Sequence, residues 1–260
     1  MYRLRRRDDF CEGRGVSERE DAVQRSDAYR TYMSSYYAKD PQAARTHQRK
    51  LAWLQHNYAS HLPKINGARC LEIGPGKGEL LQWLTERSIE VHAVDLSEEV
   101  VRYCNEILPG STELVNDTAA YLERHTAEYD VVFMLHVLEH VRKQDVIPLL
   151  RAVRAALVPG GRLIVEVPNM GNPFIGLYSR YVDFTHEVGF TAESLEFVFS
   201  AAGFTNANAR AAELPQDRPY RILQHMAERL IGFVYRVTGL AIGVRTPRLI
   251  SHSIFAVGVR

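Results

Sequence analysis

The spacing of apolar residues changes once along the chain, near residue 67. From Glu18 to His61, apolar and aromatic residues recur every three or four positions, which predicts two amphipathic helices, the second ending near Leu62. After Gly67, short apolar runs alternate with amphipathic stretches. Five apolar runs, each followed by a crossover segment, predict a parallel sheet with helices on both faces. The runs are ARCLEI, EVHAVDL, TELVN, YDVVFML and GRLIVEV.

The C-terminal part of the chain adds two helices and two strands to this pattern. We expect a helix from Thr191 to Ala202, with Thr191 as its N-cap and Ser194 at the third helical position. A strand from Phe204 to Arg210, a helix through Tyr220 to Val237 and a closing strand in SHSIFAVGV follow. Because these strands arrive late and the last one alternates in character, an antiparallel edge is predicted.

Composition places the chain among ordinary globular proteins. It has 260 residues, of which 46% are hydrophobic and 24% charged, and this length suits one α/β domain with additions. The net charge of +1 gives no reason to expect nucleic-acid binding. Cys11, Cys70 and Cys104 are too few and too scattered for a disulfide framework or a zinc site. A reducing, cytoplasmic location is therefore expected.

The N-terminus predicts neither a secretory signal nor a transit peptide. Its opening, MYRLRRRDDFCEGRG, lacks an apolar core and carries acids. The predicted organisation is a flexible basic arm over 1–17, a helical cap over 18–66 and the α/β domain over 67–260. The longest apolar region, Leu230 to Val244, is interrupted by Arg236 and is too short to cross a bilayer. No transmembrane helix is expected.

The stretch CLEIGPGKGELLQWL runs from the first apolar segment through three glycines into a helical pattern. Glycine suits a backbone that adopts positive φ or approaches a ligand closely, and the helix beyond offers free N–H groups. A phosphate-binding loop would end in Gly-Lys-Ser/Thr, but Gly78 follows Lys77. A dinucleotide fingerprint would place its third glycine at Glu79. The turn fits neither motif.

The remaining pattern, Glu72-Ile73-Gly74-Pro75-Gly76-Lys77-Gly78, resembles the first motif of class I S-adenosylmethionine (SAM)-dependent methyltransferases. An acid at the end of the first strand can receive the amino group of the methionyl moiety. The next strand ends in Asp95, where the resemblance implies a carboxylate for the ribose hydroxyls. Asp117 stands where the family contacts adenine, or it caps a helix. The implied cofactor-binding residues are Glu72, Ile73, Gly74, Pro75, Gly76, Gly78, Asp95, Leu96, Asn116, Asp117, Thr118 and Leu135.

Two later stretches match the same family, so the resemblance covers about Ala68 to Phe204. YDVVFMLHVLEHV resembles the family's fourth motif, and LVPGGRLIVEVPN resembles its turn into the fifth strand. The resemblance implies a doubly wound α/β fold with a seven-stranded, mostly parallel sheet. The implied strand order is 3-2-1-4-5-7-6, with the last strand antiparallel.

His136, Glu139 and His140 follow the fourth strand and would share one face if that turn is helical. An oxygen acceptor needs its proton removed, usually by a histidine or a carboxylate. In one interpretation His140 is the general base and Glu139 orients it. In another, all three residues bind a divalent cation, as in resembling ubiquinone-pathway O-methyltransferases, although those carry an acid where this chain has His136. In a third, His140 only caps and packs.

A second candidate group lies in RYVDFTHEVGFTAESLEFVFSAAGF, from Arg180 to Phe204. It resembles the acceptor-lining segment of a methyltransferase subgroup frequent in bacterial polysaccharide and glycan pathways, and it predicts an acceptor-side insertion at about 168–190. Asp183 and His186 are candidate catalytic residues here, unless they only pair with each other to fix the loop. Flat surfaces suited to a sugar ring are expected from Tyr178, Tyr181 and Phe184.

The C-terminal part is basic, with seven arginines and one acid, Glu228, from Arg218 to Arg260. In its helix, apolar positions oppose arginines. Such a helix packs on the sheet with a solvated basic rim, or it contacts an anionic membrane or a phosphorylated acceptor. The apolar positions are Leu223, Met226, Leu230, Phe233 and Val237, and the arginines are Arg221, Arg229 and Arg236.

The sequence therefore predicts a SAM-dependent methyltransferase, acting on a hydroxyl of a sugar-containing or other small acceptor with a histidine base. The acceptor could be a glycan, phosphorylated or lipid-linked. Two alternatives remain: a metal-assisted catechol or quinol O-methyltransferase, and an inactive binding module that keeps the fold. The chain is expected to be a monomer or a homodimer.

Overall fold

The computed structural model of the chain describes residues 43–65, 67–215 and 219–260. The predicted basic arm and the first predicted N-terminal helix lie outside these ranges. The second predicted helix is present as α1, Ala43–Tyr58, followed by a 3₁₀ turn, Ala59–His61.

Seven strands form one sheet. They are β1 (Arg69–Ile73), β2 (Glu90–Asp95), β3 (Thr112–Leu114), β4 (Tyr129–Leu135), β5 (Leu157–Pro168), β6 (Thr205–Ala212) and β7 (Ser253–Val259). Their order is β3-β2-β1-β4-β5-β7-β6. Strand β7 runs antiparallel to both of its neighbours, β5 and β6, and the other pairings are parallel. The predicted order and the antiparallel last strand are confirmed.

Helices connect the strands and cover both faces of the sheet. After α1 they are α2 (Glu79–Thr85), α3 (Glu98–Ile107), α4 (Thr118–Arg124), α5 (Val146–Ala156), α6 (Gly176–Tyr181), α7 (Ala192–Ala201) and α8 (Pro219–Ala241), with a second 3₁₀ turn at Leu138–His140. Local chemistry fixes two helix starts, and the one at Thr191 is where the sequence predicted it. Ser97 accepts from the Val100 N–H at 3.5 Å, and Thr191 with Ser194 forms a capping box.

Side chains of the central strands alternate between two cores. In β4, Val132 belongs to the core on the α4, α5 and α7 side, whereas Phe133 belongs to the core under α1 and α2. In β5, Val165 faces the first core, and the period of two therefore turns Glu166 toward α1. This alternation brings a carboxylate under the N-terminal helix at the carboxyl end of the sheet.

Helix α8 does not pack in the way that its apolar positions suggested. Its buried residues are Arg221, Gly232 and Gly239. Its apolar residues point outward, and Leu223 and Phe233 are 68% and 62% exposed. The expectation of an apolar stripe packed on the sheet is therefore wrong. Within the described ranges, none of the helices combines the length and apolarity that a bilayer crossing requires.

Candidate functional site

The glycine turn after β1 has a backbone that only glycine adopts without strain. Gly74, Gly76 and Gly78 have φ of 74°, 52° and 69°. Gly74 donates its N–H to the Val94 carbonyl at 2.9 Å, which holds the turn against β2. A Cβ on Gly74 would lie 2.5 Å from Cγ2 of Val137. The turn is thus packed closely against Val137 at Gly74, whereas a Cβ on Gly76 would meet no atom of the described residues within 4 Å.

Glu72 lies directly beneath this turn and is 3% exposed. Its Oε2 atom has no hydrogen-bond partner among the described residues. Burial, reinforced by Glu79, raises the pKa of Glu72 well above its usual value. A buried carboxyl with an unused oxygen is suited to a cationic group, which would favour the ionised form and supply the missing partner.

Asp95 and Leu96 stand beside the glycine turn because Val94 pairs with Ile73 across parallel strands. Asp95 accepts from the Ser97 N–H at 2.7 Å through Oδ1, and burial raises its pKa to about 6. Leu96 is 49% exposed and offers an apolar surface at the same edge. Leu96 is therefore suited to contact a flat heterocycle, and Asp95 is suited to bond the hydroxyls of a neighbouring ring.

Asp117 caps helix α4. Its Oδ1 accepts from the N–H groups of Ala119 and Ala120 at 2.8 and 3.2 Å, so the capping interpretation is confirmed. A contact between Asp117 and an adenine stays a prediction. All twelve predicted cofactor residues lie at or just beyond the carboxyl ends of β1 to β4. That edge is where parallel sheets of this topology bind their ligands.

His136 is held between two carboxylates. It has a φ of 56° and follows β4 directly. Its Nδ1 lies 3.3 Å from Oε1 of Glu139, and its Nε2 lies 3.2 Å from Oε1 of Glu166. Because each ring nitrogen faces an acceptor, both carry protons and the ring is an imidazolium. Burial alone would lower its pKa, but the carboxylates raise it to about 10.

Glu166 joins this ion pair to the N-terminal helix. The carboxylate is 1% exposed and accepts hydrogen bonds from Trp53 Nε1, at 3.0 Å, and from the Tyr58 hydroxyl. Burial would raise its pKa, but His136, the charge of Lys50 and the Tyr58 hydroxyl hold it at about 2. Sequence reasoning missed this network. The available signal was one acid inside the otherwise apolar strand GRLIVEV, since a buried acid is almost always paired.

The predicted group of His136, Glu139 and His140 does not act as one helical face. The segment forms a 3₁₀ turn, and His136 lies before it. Both ring nitrogens of His136 lie against carboxylates, and His136 is not among the described residues whose potential ligand atoms converge. The structure instead gathers Glu139, His140 and His186, each with one potential ligand atom within 4.8 Å of the others.

His140 is oriented by the loop after α6. Its Nδ1 lies 2.8 Å from the Thr185 hydroxyl, and that hydroxyl lies 2.7 Å from Oδ1 of Asp183. Burial would raise the pKa of Asp183, but the Thr185 hydrogen bonds and nearby histidines lower it below its usual value. The ionised carboxylate can only accept, so Thr185 donates to Asp183 and accepts from Nδ1–H of His140. The neutral His140 ring therefore carries its lone pair on Nε2.

His186 stands beside His140, with ring centroids 4.8 Å apart. Its Nδ1 lies 2.8 Å from the Ser179 carbonyl, which can only accept, so this nitrogen carries a proton. Burial lowers the pKa of His140, with His186 also lowering it, despite the opposing effect of Glu139. In the same segment of the chain, Tyr178, Tyr181 and Phe184 have exposed rings.

Residues 39–209 match a family model described as a methyltransferase domain. The chain is 32% identical over 120 residues to a ubiquinone biosynthesis O-methyltransferase of Xanthomonas oryzae pv. oryzae, covering 44% of this chain and 48% of that protein. It is 31% identical over 124 residues to the Marinobacter nauticus protein of the same name, covering 45% and 50%. The chain thus spans about half the length of the curated relatives it matches.

Solved structures share the fold at low identity. A SAM-dependent methyltransferase from Archaeoglobus fulgidus aligns with a TM-score of 0.64 and 19% identity, covering 89% of this chain and 99% of that one. Haemonchus contortus phosphoethanolamine N-methyltransferase 2, in complex with phosphomonomethylethanolamine and S-adenosylhomocysteine, aligns with a TM-score of 0.56 and 21% identity, covering 82% and 53%. At these identities the likeness shows the fold.

The buried ion pair predicts a specific pH dependence of stability. The pKa of His136 rises from 6.5 when unfolded to about 10 when folded, so its contribution is complete below pH 6.5 and is lost as the pH rises toward 10. Glu166→Gln should lower the free energy of unfolding, by less than the roughly 3–5 kcal/mol of a fully buried pair because His136 is 38% exposed. The substitution should also flatten the decrease of the free energy of unfolding between pH 6.5 and 10.

Urea unfolding at several pH values measures both effects. Glu106→Gln, at an exposed position on α3, is the matched control and should leave stability and slope unchanged. Parallel pH profiles for Glu166→Gln and the unsubstituted protein would contradict the ion pair.

Proposed function

Since the chain belongs to the methyltransferase domain family, we propose that it transfers the methyl group of SAM to a hydroxyl oxygen of a small acceptor, with His140 as general base. The observation that carries the proposal is the Asp183–Thr185–His140 chain of hydrogen bonds, which leaves the basic nitrogen of His140 unprotonated. A base is needed for an oxygen acceptor, whose proton must leave as the new bond forms.

The residues at the carboxyl ends of β1 and β2, here called the donor side, have the chemistry needed to bind SAM as the methyl donor. SAM supplies an electrophilic methyl group on a sulfonium. Glu72 provides a buried, unused carboxyl oxygen for the cationic amino group, and Asp95 provides a carboxylate for ribose hydroxyls. Leu96 offers an exposed apolar surface for the adenine. Glycine is needed at position 74, because any side chain there would collide with Val137.

On the acceptor side, the structure supports a ring that carries hydroxyl groups. The exposed rings of Tyr178, Tyr181 and Phe184 belong to the same short segment as His186 and as Thr185, which bonds His140. Aromatic faces and a few fixed polar groups are the usual lining of a small-molecule site. A sugar-containing acceptor is our leading candidate, and a phosphorylated or lipid-linked form of it would be compatible with the arginines of the C-terminal region.

A metal-assisted transfer to a catechol or quinol is the second candidate. It is favoured by the grouping of Glu139, His140 and His186, since Oε2 of Glu139 has no partner within the described residues and each histidine has its Nδ1–H engaged by an oxygen. Metal-binding histidines characteristically donate their second N–H in this way. A divalent cation held there would lower the pKa of a bound hydroxyl. The ubiquinone-pathway names of the relatives point to the same acceptor class.

Replacing Asp95 by Asn should weaken SAM binding roughly ten- to hundredfold, equivalent to about 1.5–3 kcal/mol for hydrogen bonds that involve charge. Because the pKa of Asp95 is about 6, the unsubstituted protein should bind SAM more weakly at pH 5 than at pH 7.5, and the variant should lose that difference. Isothermal calorimetry measures both, with Glu106→Gln as the control. Unchanged affinity in Asp95→Asn would contradict the donor site.

The acceptor class is tested by incubating the protein with methyl-labelled SAM and a panel of glycans, nucleotide sugars and quinols, with and without EDTA. We expect label on a carbohydrate, unaffected by EDTA. Label on a quinol that disappears with EDTA and returns with a divalent cation would favour the metal-assisted candidate. SAM binding without product on any acceptor would favour an inactive binding module and contradict the proposed transfer.

The base role of His140 predicts the acid limb of the pH profile. The pKa of His140 is lowered from 6.5, so kcat should be constant at neutral pH. It should fall when the pH drops through this lowered pKa and the base becomes protonated. His140→Ala should lower kcat roughly 10²–10⁴-fold, the usual contribution of a general base. Thr185→Val should lower kcat by roughly tenfold or more because the tautomer is no longer fixed, while SAM affinity is retained.

Thr126→Val, at an exposed position before the opposite end of β4, is the control and should have normal kinetics. Full activity of Thr185→Val across the pH range would contradict the hydrogen-bond chain as the source of the base.

A further inference from the structure

Helix α8 is attached to the protein by a face made of polar and small residues. Arg221 is 8% exposed and donates from Nη1 to the Pro215 carbonyl at 3.2 Å. A Cβ on Gly232 would lie 3.0 Å from Cδ1 of Ile250, and a Cβ on Gly239 would lie 2.3 Å from Cγ2 of Thr246. The helix therefore approaches the following loop closely through its glycines. The residues of the helix that are buried are Arg221, Gly232 and Gly239.

The opposite face of α8 is apolar and exposed. Its central ridge follows a spacing of three and four residues, so it forms one stripe along the helix. Ile222, Ile231 and Val234, which are 44–55% exposed, widen this stripe to roughly half of the circumference. The ridge residues, 47–81% exposed, are Leu223, Met226, Leu230, Phe233, Val237 and Leu240.

Arginines accompany this apolar face. Arg229 and Arg236 are exposed on one flank of the stripe, and Arg245 is exposed just beyond the helix. The one acid from 219 to 260, Glu228, is half-buried on the attached side. We propose that this face of α8 docks the protein on a membrane surface that contains anionic lipid. Apolar side chains then enter the boundary between head groups and acyl chains, and arginines meet the lipid charges.

The charge pattern favours an anionic membrane on this face over two other occupants, residues 1–42 and a second copy of the chain. Residues 1–42 carry nine basic and eight acidic residues, so that segment is close to neutral and offers no net negative charge to the arginines. A second copy of α8 would bring arginines toward arginines. The stripe is also wider than the two-position seam that a single partner helix covers. An extended anionic surface is wide enough to cover the apolar stripe, and its charge is opposite to that of the arginines.

The same loop links this face to the acceptor side of the site. Asn172 donates to the Ile250 carbonyl at 2.6 Å, and Asn169 donates to the Leu249 carbonyl at 3.0 Å. These bonds tie the loop that follows α8 to the segment that precedes α6, where Leu177 and Tyr181 are 76% and 72% exposed. On the proposed function, docking would therefore present the acceptor side to molecules held at the membrane interface.

Vesicle co-sedimentation of the full chain tests the proposal. The probes are vesicles of phosphatidylcholine mixed with phosphatidylglycerol, compared with vesicles of phosphatidylcholine alone. We expect binding to the mixed vesicles that weakens at high salt. Arg229→Glu with Arg245→Glu should lower the partition coefficient by roughly tenfold or more, given the attraction of each arginine to an anionic surface. Leu230→Ser with Phe233→Ser should lower it as well.

The matched control is Lys64→Glu with Arg102→Glu, which makes the same charge change at exposed positions away from α8 and should bind as the unsubstituted protein does. Absence of binding to mixed vesicles, or equal losses in the control, would overturn the proposal. A solution dimer that Leu230→Ser with Phe233→Ser dissociates would assign the face to a second copy, and a cross-link from position 230 to residues 1–42 would assign it to that segment. Either result would overturn it. Because no SAM or acceptor is present, failure here is distinct from failure of methyl transfer.

Discussion

The buried carboxylate of Glu166 is the group on which the acceptor side of the structure depends. It lies within β5, is 1% exposed, and accepts hydrogen bonds from Trp53, Tyr58 and His136. A buried charge without such partners would cost several kcal/mol, so the first described helix and the turn after β4 must both be in place around it. One side chain thus couples the helical cap to the end of the sheet where the chemistry is expected.

The turn at His136 shows how that coupling shapes the site. A non-glycine residue at a φ of 56° is disfavoured by about 1–2 kcal/mol, and here two carboxylates hold the ring in this position. The 3₁₀ turn that follows directs Glu139 back to His136 and directs His140 toward Thr185. Three residues that are close in sequence therefore have different partners: His136 pairs with Glu139 and Glu166, whereas His140 bonds Thr185.

Donor and acceptor sides are assembled in different ways along the same edge of the sheet. The donor side comes from short connections after β1 and β2, where parallel pairing alone sets Asp95 beside the glycine turn. The acceptor side combines the end of β4 with the loop after α6, about 45 residues later, as the bond between His140 and Thr185 shows. Helix α8 is attached to this second half by its glycine face, through the loop from 242 to 252.

The sequence by itself predicted the strands, the helices and the N-cap at Thr191 from local patterns of period two and period 3.6, and the resemblance of its motifs to a known family implied the strand order. It also placed His140, Asp183 and His186 among the candidates. Only the tertiary structure decided which partners these residues have. Glu166 reaches Trp53 across 113 positions, and no local pattern encodes such a contact. The orientation of α8 was decided in the same way, since its glycines, not its apolar residues, fit closely against the loop that follows.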